Sequence, residues 1–168
     1  APFCARGTFE KEETRQSLKL MKEKTGANYV IFAPNGMQKT AFSEEIDYRT
    51  DRNVTDEELI AMIGYAKELG LNVALKPTAN CEDGTWRAHI NFFDEDVVCE
   101  PKWSNWFASY RAFQEHYARL AQQCGVDLFI AGCEMVQTER REAEWREVIA
   151  AIRRRYYGLV SYNTDKYQ

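Results

Sequence analysis

The chain has 168 residues, 45% of them hydrophobic and 29% charged, which is the balance of one folded domain and not of a disordered tail. Four prolines and nine glycines exclude a collagen-like or low-complexity chain, and no apolar run approaches the ~20 residues that cross a bilayer. The net charge of −4, from 22 basic and 26 acidic residues, gives no electrostatic reason to bind nucleic acid or an anionic membrane. A neutral or cationic partner is easier to defend.

Five cysteines, at 4, 81, 99, 124 and 133, form no Cys-x-x-Cys pair, and two histidines give no zinc-ligand spacing, so neither a metal nor an organic cofactor is expected. The odd number, in a chain large enough to build its own core, argues against a disulfide framework and for a reducing, cytoplasmic compartment. The chain opens at Ala1 without a methionine, which leaves a removed leader and secretion open.

Helical periodicity predicts a first helix over about residues 12–24, with Leu18 and Met21 facing inward. Gly26-Ala-Asn then leads into a short apolar strand, Tyr29-Val-Ile-Phe-Ala. Thr55-Asp-Glu-Glu58 reads as a capping box opening a second helix, whose apolar face is Leu59, Ile60, Met62, Ile63, Ala66 and Leu69. Gly70-Leu-Asn precedes the strand Val73-Ala-Leu. The most strongly amphipathic stretch follows, with Trp103, Trp106, Phe107, Tyr110, Phe113, Tyr117 and Leu120 recurring at three and four residues. Gly125-Val-Asp precedes Leu128-Phe-Ile-Ala, a further helix carries Trp145, Val148, Ile149, Ile152 and Tyr156, and Gly158 precedes Leu159-Val-Ser-Tyr. Each glycine suits a helix C-cap feeding a buried, parallel strand.

The sum is an α/β chain with a parallel sheet. Its connections are lopsided: helix-to-strand links are a few residues, whereas residues 34–54 and 77–102 follow strands as long segments. Elaboration at the C-terminal ends of strands is where both (β/α)8 barrels and doubly wound sheets hold ligands. No Gly-x-Gly-x-x-Gly and no Gly-Lys-Ser/Thr follows any strand, which disfavours a nucleotide-binding doubly wound domain. A (β/α)8 TIM barrel is preferred, but it needs eight strands and ~250 residues, against four clear strands here. Residues 1–168 therefore read as a partial barrel domain whose remainder lies outside this chain, or which a second copy completes.

Glu134, directly after the strand ending in Gly132-Cys133, is the sharpest candidate for chemistry, because a carboxylate at the end of a buried parallel strand points into a barrel mouth. Burial there would suit it to general acid work; the plain alternative is a solvated loop glutamate. The segment from Asn80 to Asn91 adds Trp86, Arg87 and His89, an aromatic platform and hydrogen-bonding groups of the kind that bind sugar rings. Against that, Trp86 could merely anchor its loop and Arg87 pair with Asp83 or Glu82. Lys76 and Asn163 end neighbouring strands and face the same mouth. His116 reads as packing outside the barrel, Arg153-Arg-Arg155 as a solvated helix end, and Asn53-Val-Thr55 as a helix-entry turn despite its match to a glycosylation sequon. Pairing Cys81 or Cys99 with His89 as nucleophile and base has no support in spacing.

With Trp86-Arg87-Ala-His89-Ile-Asn-Phe-Phe93, Gly132-Cys-Glu134-Met-Val and Trp145 in place, the chain resembles glycoside hydrolase family 113, β-mannanase-type members of the retaining (β/α)8 clan. The resemblance runs from about Phe3 to the strand end at Ser161-Tyr-Asn-Thr-Asp165. It implies that Glu134 ends the fourth barrel strand and is the acid/base, and that Asn80, Trp86, Arg87 and His89 contact substrate. It implies a mannan or manno-oligosaccharide substrate. The family's second glutamate, the nucleophile at the end of the seventh strand, has no counterpart here, and Glu139, Glu142 and Glu144, on or beside the following helix, are poor substitutes. A non-catalytic carbohydrate-binding module or pseudoenzyme is the other expectation.

Overall fold

The computed structural model describes residues 3–166. Its helices are α1 (Glu12–Thr25), α2 (Asp56–Glu68), α3 (Trp103–Gln123) and α4 (Glu142–Arg153). Its strands are β1 (Tyr29–Phe32), β2 (Asn35–Gln38), β3 (Asn72–Leu75), β4 (Thr78–Cys81), β5 (Leu128–Cys133) and β6 (Leu159–Asn163). One sheet runs in the order β1-β3-β5-β6 with every pair parallel. Neighbours in chain order, each reached through a helix, are the arrangement of successive barrel strands; a doubly wound sheet reverses its order at a switch point.

Alternation along the strands separates two faces. Val73, Leu75 and Phe129 join the core beneath the helices, with Val30 and Val160 packed against it from the flanking strands. The intervening Ala74 and Ile130 are buried on the opposite, concave side. On that side the flanking strands leave Tyr29, Ile31 and Leu159 exposed. The expectation that all four strands are buried is corrected: β3 and β5 are interior strands, and β1 and β6 are open edges.

The long segments after β1 and β3 also differ from the sequence reading, because each begins with a further strand. β2 and β4 pair in parallel, Asn35 with Thr78 and Gln38 with Cys81, in the register that already pairs Phe32 with Leu75. The two ladders are one, interrupted where Pro34 and Pro77 sit side by side without amide protons. Proline and polar residues at these points hide the strands from a hydrophobicity reading.

The capping box forms as the sequence predicts: the Thr55 hydroxyl accepts from the Glu58 N–H, and the Glu58 carboxylate accepts from the Thr55 N–H at 2.9 Å. α3 buries its whole aromatic stripe, with Trp106 stacked on Tyr110 at 4.9 Å. Ile60, expected on the inward face of α2, is exposed, and α1 buries no residue fully. Leu18 still packs in part against the core, and with Met21 it lines an open apolar groove of about 440 Å³ beside β1. Gly26, Gly70 and Gly125 take the left-handed conformation expected of C-caps, with φ of 66°, 72° and 61°. Gly158 does not; it is needed because a Cβ there would collide with the Tyr156 ring, which lies beyond the end of α4. Among the described residues no helix is long and apolar enough to cross a membrane.

Candidate active site

Glu134 follows β5 with φ of 53°, a left-handed conformation that a residue with a Cβ rarely adopts. Its N–H donates to the Asn163 carbonyl at 2.8 Å, and the next N–H, of Met135, donates to the Tyr162 hydroxyl at 3.0 Å. The end of β6 thus grips both amides after β5. β6 can pair so far along because a register shift between Ile130 and Cys133 advances β5 past it.

The Glu134 carboxylate is held from the other side of the sheet. Its Oε2 accepts from Arg87 Nη1 at 2.7 Å and from Trp86 Nε1 at 3.3 Å. Arg87 is three-pronged: Nη2 donates to Asn80 Oδ1 at 2.6 Å and Nε to the Ala79 carbonyl at 3.1 Å. Asn80 is fixed in turn, donating to Asn35 Oδ1 at 2.6 Å. Arg87 does not pair with Asp83, which accepts from the Thr85 N–H within its own turn. The Arg87 side chain is 11% exposed and that of Glu134 is 35%, so the cation is built into the floor and the carboxylate faces the opening. Among the described residues Glu134 is thus only partly buried, less than a carboxylate deep in a barrel mouth would be.

Trp86 is exposed, with the His89 ring edge-on to it at 5.7 Å. Lys76 Nζ lies 3.3 Å from Asn163 Oδ1 and 3.7 Å from Cys133 Sγ, the residue before Glu134. All seven predicted site residues thus fall in one contiguous patch at the C-terminal ends of β3–β6, six of them linked by hydrogen bonds and His89 by a ring contact. Asn35, Cys133 and Tyr162 belong to the same patch and escaped the sequence reading. Asn35 sits on an unrecognised strand, Cys133 resembled any buried thiol, and Tyr162 resembled a strand apolar residue.

Three further acids near this patch already have partners. Glu139 accepts from the Tyr162 hydroxyl, Glu142 pairs with Arg146 at 2.6 Å, and Glu144 is held by Arg141. The Cys81 thiol is pushed up to about 11, first by burial and then by Asp83, and is unsuited to act as a nucleophile. His116 pairs with Asp56 at 2.9 Å on the outer helices, and Asn53 is buried between Asn35 and Tyr117, as a helix-entry residue. No cluster of three or more His, Cys, Asp or Glu side chains suited to a metal occurs among the described residues.

A parallel sheet in sequential order, with its polar cluster gathered at the C-terminal strand ends, is the arrangement of a (β/α)8-barrel protein. The chain belongs to Glycoside Hydrolase Family 113, whose sequence profile matches residues 1–168. It is similar to a structure described as a GH113 beta-1,4-mannanase, with 54% identity and a TM-score of 0.97, over 99% of this chain and 54% of that one. A complex structure of a GH113 beta-1,4-mannanase gives the same figures. The GH113 beta-mannanase AaManA from Alicyclobacillus acidocaldarius, in complex with ManMIm, is 40% identical with a TM-score of 0.92, over 98% of this chain and 52% of that one. No match was found among curated protein sequences. The chain spans about half the length of these structures, and its fold is half of a (β/α)8 barrel.

Proposed function

We propose that this chain supplies one half of the catalytic domain of a retaining β-mannanase, with Glu134 as its acid/base. The observation that carries this reading is the Glu134 carboxylate, fixed by Arg87 and Trp86 at a strand end and turned toward the open face of the site. In the double displacement, Glu134 gives its proton to the glycosidic oxygen as a second carboxylate attacks the anomeric carbon and the C–O bond breaks. Glu134 then takes a proton from water, which attacks the glycosyl ester and frees the second carboxylate. That nucleophile must lie ~5–5.5 Å from Glu134, on barrel strands outside residues 1–168. Glu134 ends the third of the four sheet strands described, so its place on the fourth barrel strand supposes one more strand ahead of β1.

Arg87 orients the carboxylate and Asn80 orients Arg87. Trp86 offers an exposed face for a sugar ring, and Lys76 and Asn163 offer a donor and an amide to sugar hydroxyls. The β-1,4-mannan substrate is supported by the descriptions of the similar structures. The uncovered faces of β1 and β6 support a requirement for the rest of the barrel, which a second copy of this chain would supply less well because it brings no seventh-strand glutamate. A cytoplasmic site would favour short oligosaccharides.

Full-length protein is expected to release reducing ends from β-1,4-mannan, and residues 1–168 alone are not. Glu134→Gln should lower turnover of unactivated manno-oligosaccharides by ~10²–10⁴-fold. Near wild-type hydrolysis by that variant would end the assignment.

A further inference from the structure

We propose that Tyr162 is a positioning residue for Glu134, holding its left-handed turn by accepting the Met135 N–H and donating its own proton to Glu139. This rests on Glu134 being the acid/base. A left-handed non-glycine residue costs ~1–2 kcal/mol and persists only where its surroundings hold it. The other such residue among those described, Cys99, is exposed on a loop; Glu134 is at the centre of the site. Relaxed toward an ordinary conformation, residue 134 would swing its carboxylate away from Arg87 and Trp86.

Several contacts converge on this turn. Asn163 holds the Glu134 N–H and Tyr162 the Met135 N–H, while the Met135 carbonyl accepts from both Thr138 N and Oγ1 at 2.8 Å. Thr138 also receives the Trp145 indole N–H at 3.1 Å, and Trp145 packs edge-on against Tyr162 at 5.3 Å. Gly132 admits the tyrosine ring, since a Cβ there would lie 2.8 Å from Tyr162 Cε2. A tyrosine hydroxyl has one proton. Because Glu139 is an acceptor and takes it, the oxygen lone pairs are left to accept the amide. Burial and the neighbouring Glu139 also raise the phenol, which keeps that proton in place. Met135 is fully buried, so without Tyr162 its N–H faces protein with no replacement from bulk water.

The test is Tyr162→Phe in the full-length protein, which keeps the ring and removes the hydroxyl. An acid/base held out of place slows reactions whose leaving group needs a proton and spares those whose leaving group does not. The expected result is a fall of about tenfold in kcat/KM on an unactivated β-1,4-manno-oligosaccharide, with less than about twofold on a 2,4-dinitrophenyl β-mannoside. Equal loss on both substrates, or no loss, overturns the proposal. Glu134→Gln measured in parallel should give the same contrast more strongly; if it gives none, the acid/base reading itself fails, whatever Tyr162 does. Should Tyr162→Phe not fold, Glu139→Ala carries the test, with the same contrast expected and equal loss on both substrates overturning the proposal.

Discussion

Gly132→Ala is expected to destabilise the protein although it adds a single methyl group. The new Cβ would lie 2.8 Å from the Tyr110 hydroxyl, 2.8 Å from Tyr162 Cε2 and 3.1 Å from the Trp145 ring. Ordinary carbon contacts are ~3.5–4.0 Å, so three aromatic side chains must each retreat by several tenths of an ångström. None has an easy retreat. Tyr110 is fully buried and donates to the Ala131 carbonyl at 2.8 Å, Trp145 is tied to Thr138, and Tyr162 holds Met135. Overpacking of this kind costs ~1–3 kcal/mol, and a weakened buried hydrogen bond adds ~1 kcal/mol, for a total of about 3 kcal/mol. Gly64→Ala is the internal control: Gly64 lies on an exposed face of α2, its Cβ meets nothing within 4 Å, and alanine should stabilise by ~1 kcal/mol. Urea unfolding of both variants and wild type, in the full-length protein, measures the difference. A Gly132→Ala stability within ~0.5 kcal/mol of wild type, the range of an ordinary surface substitution, would refute the packing described around Glu134.

Two further outcomes follow from the site and the core. Arg87→Lys should lower kcat/KM at least about tenfold while unfolding stays cooperative, because one ammonium cannot reach Glu134, Asn80 and the Ala79 carbonyl in the fork geometry; unchanged kinetics would remove Arg87 from the site. The folded-state thiol of Cys81 is raised from 9.0 to about 11, so the folded protein holds a proton that the unfolded chain loses first, and stability should fall as pH rises from about 9 to about 11 and be unaffected below. Cys81→Ala should flatten that part of the profile, and at pH 8 a thiol reagent should modify exposed Cys99 well before Cys81; equal rates would contradict the burial.

The parts of the fold written in local pattern were legible in the sequence. α2 carried its capping box, α3 its aromatic stripe, and three of the four glycines before strands sat at left-handed turns. The position of Glu134 was legible because it directly follows an apolar strand, and that of Trp86-Arg87 because they lie in a long segment after a strand; that these groups meet is a matter of the fold. What was hidden depends on pairing across the chain. Asn35-Gly-Met-Gln38 carries no strand alternation and becomes a strand only because Thr78-Ala-Asn-Cys81 continues the register beyond two facing prolines. The partner of Arg87 was not legible for a related reason: Asp83 and Glu82, the plain alternative, are near in sequence, whereas Glu134 is near only once β4 and β5 are side by side. Tyr162 looked like one more apolar strand residue, and its hydroxyl acquires meaning only beside Met135 and Glu139. The exposure of Tyr29, Ile31 and Leu159 was likewise invisible, because strand composition does not reveal which strands are edges.

The role of Glu134 is tested most directly by Glu134→Ala in the full-length protein, assayed on an activated aryl β-mannoside with added azide. Glycosylation needs no proton for such a leaving group, so the glycosyl-enzyme should accumulate and azide should attack it where general-base activation of water has been lost. The account predicts restored turnover with a β-mannosyl azide of retained configuration as product. Azide-independent turnover at the wild-type rate, or a product of inverted configuration, would contradict it.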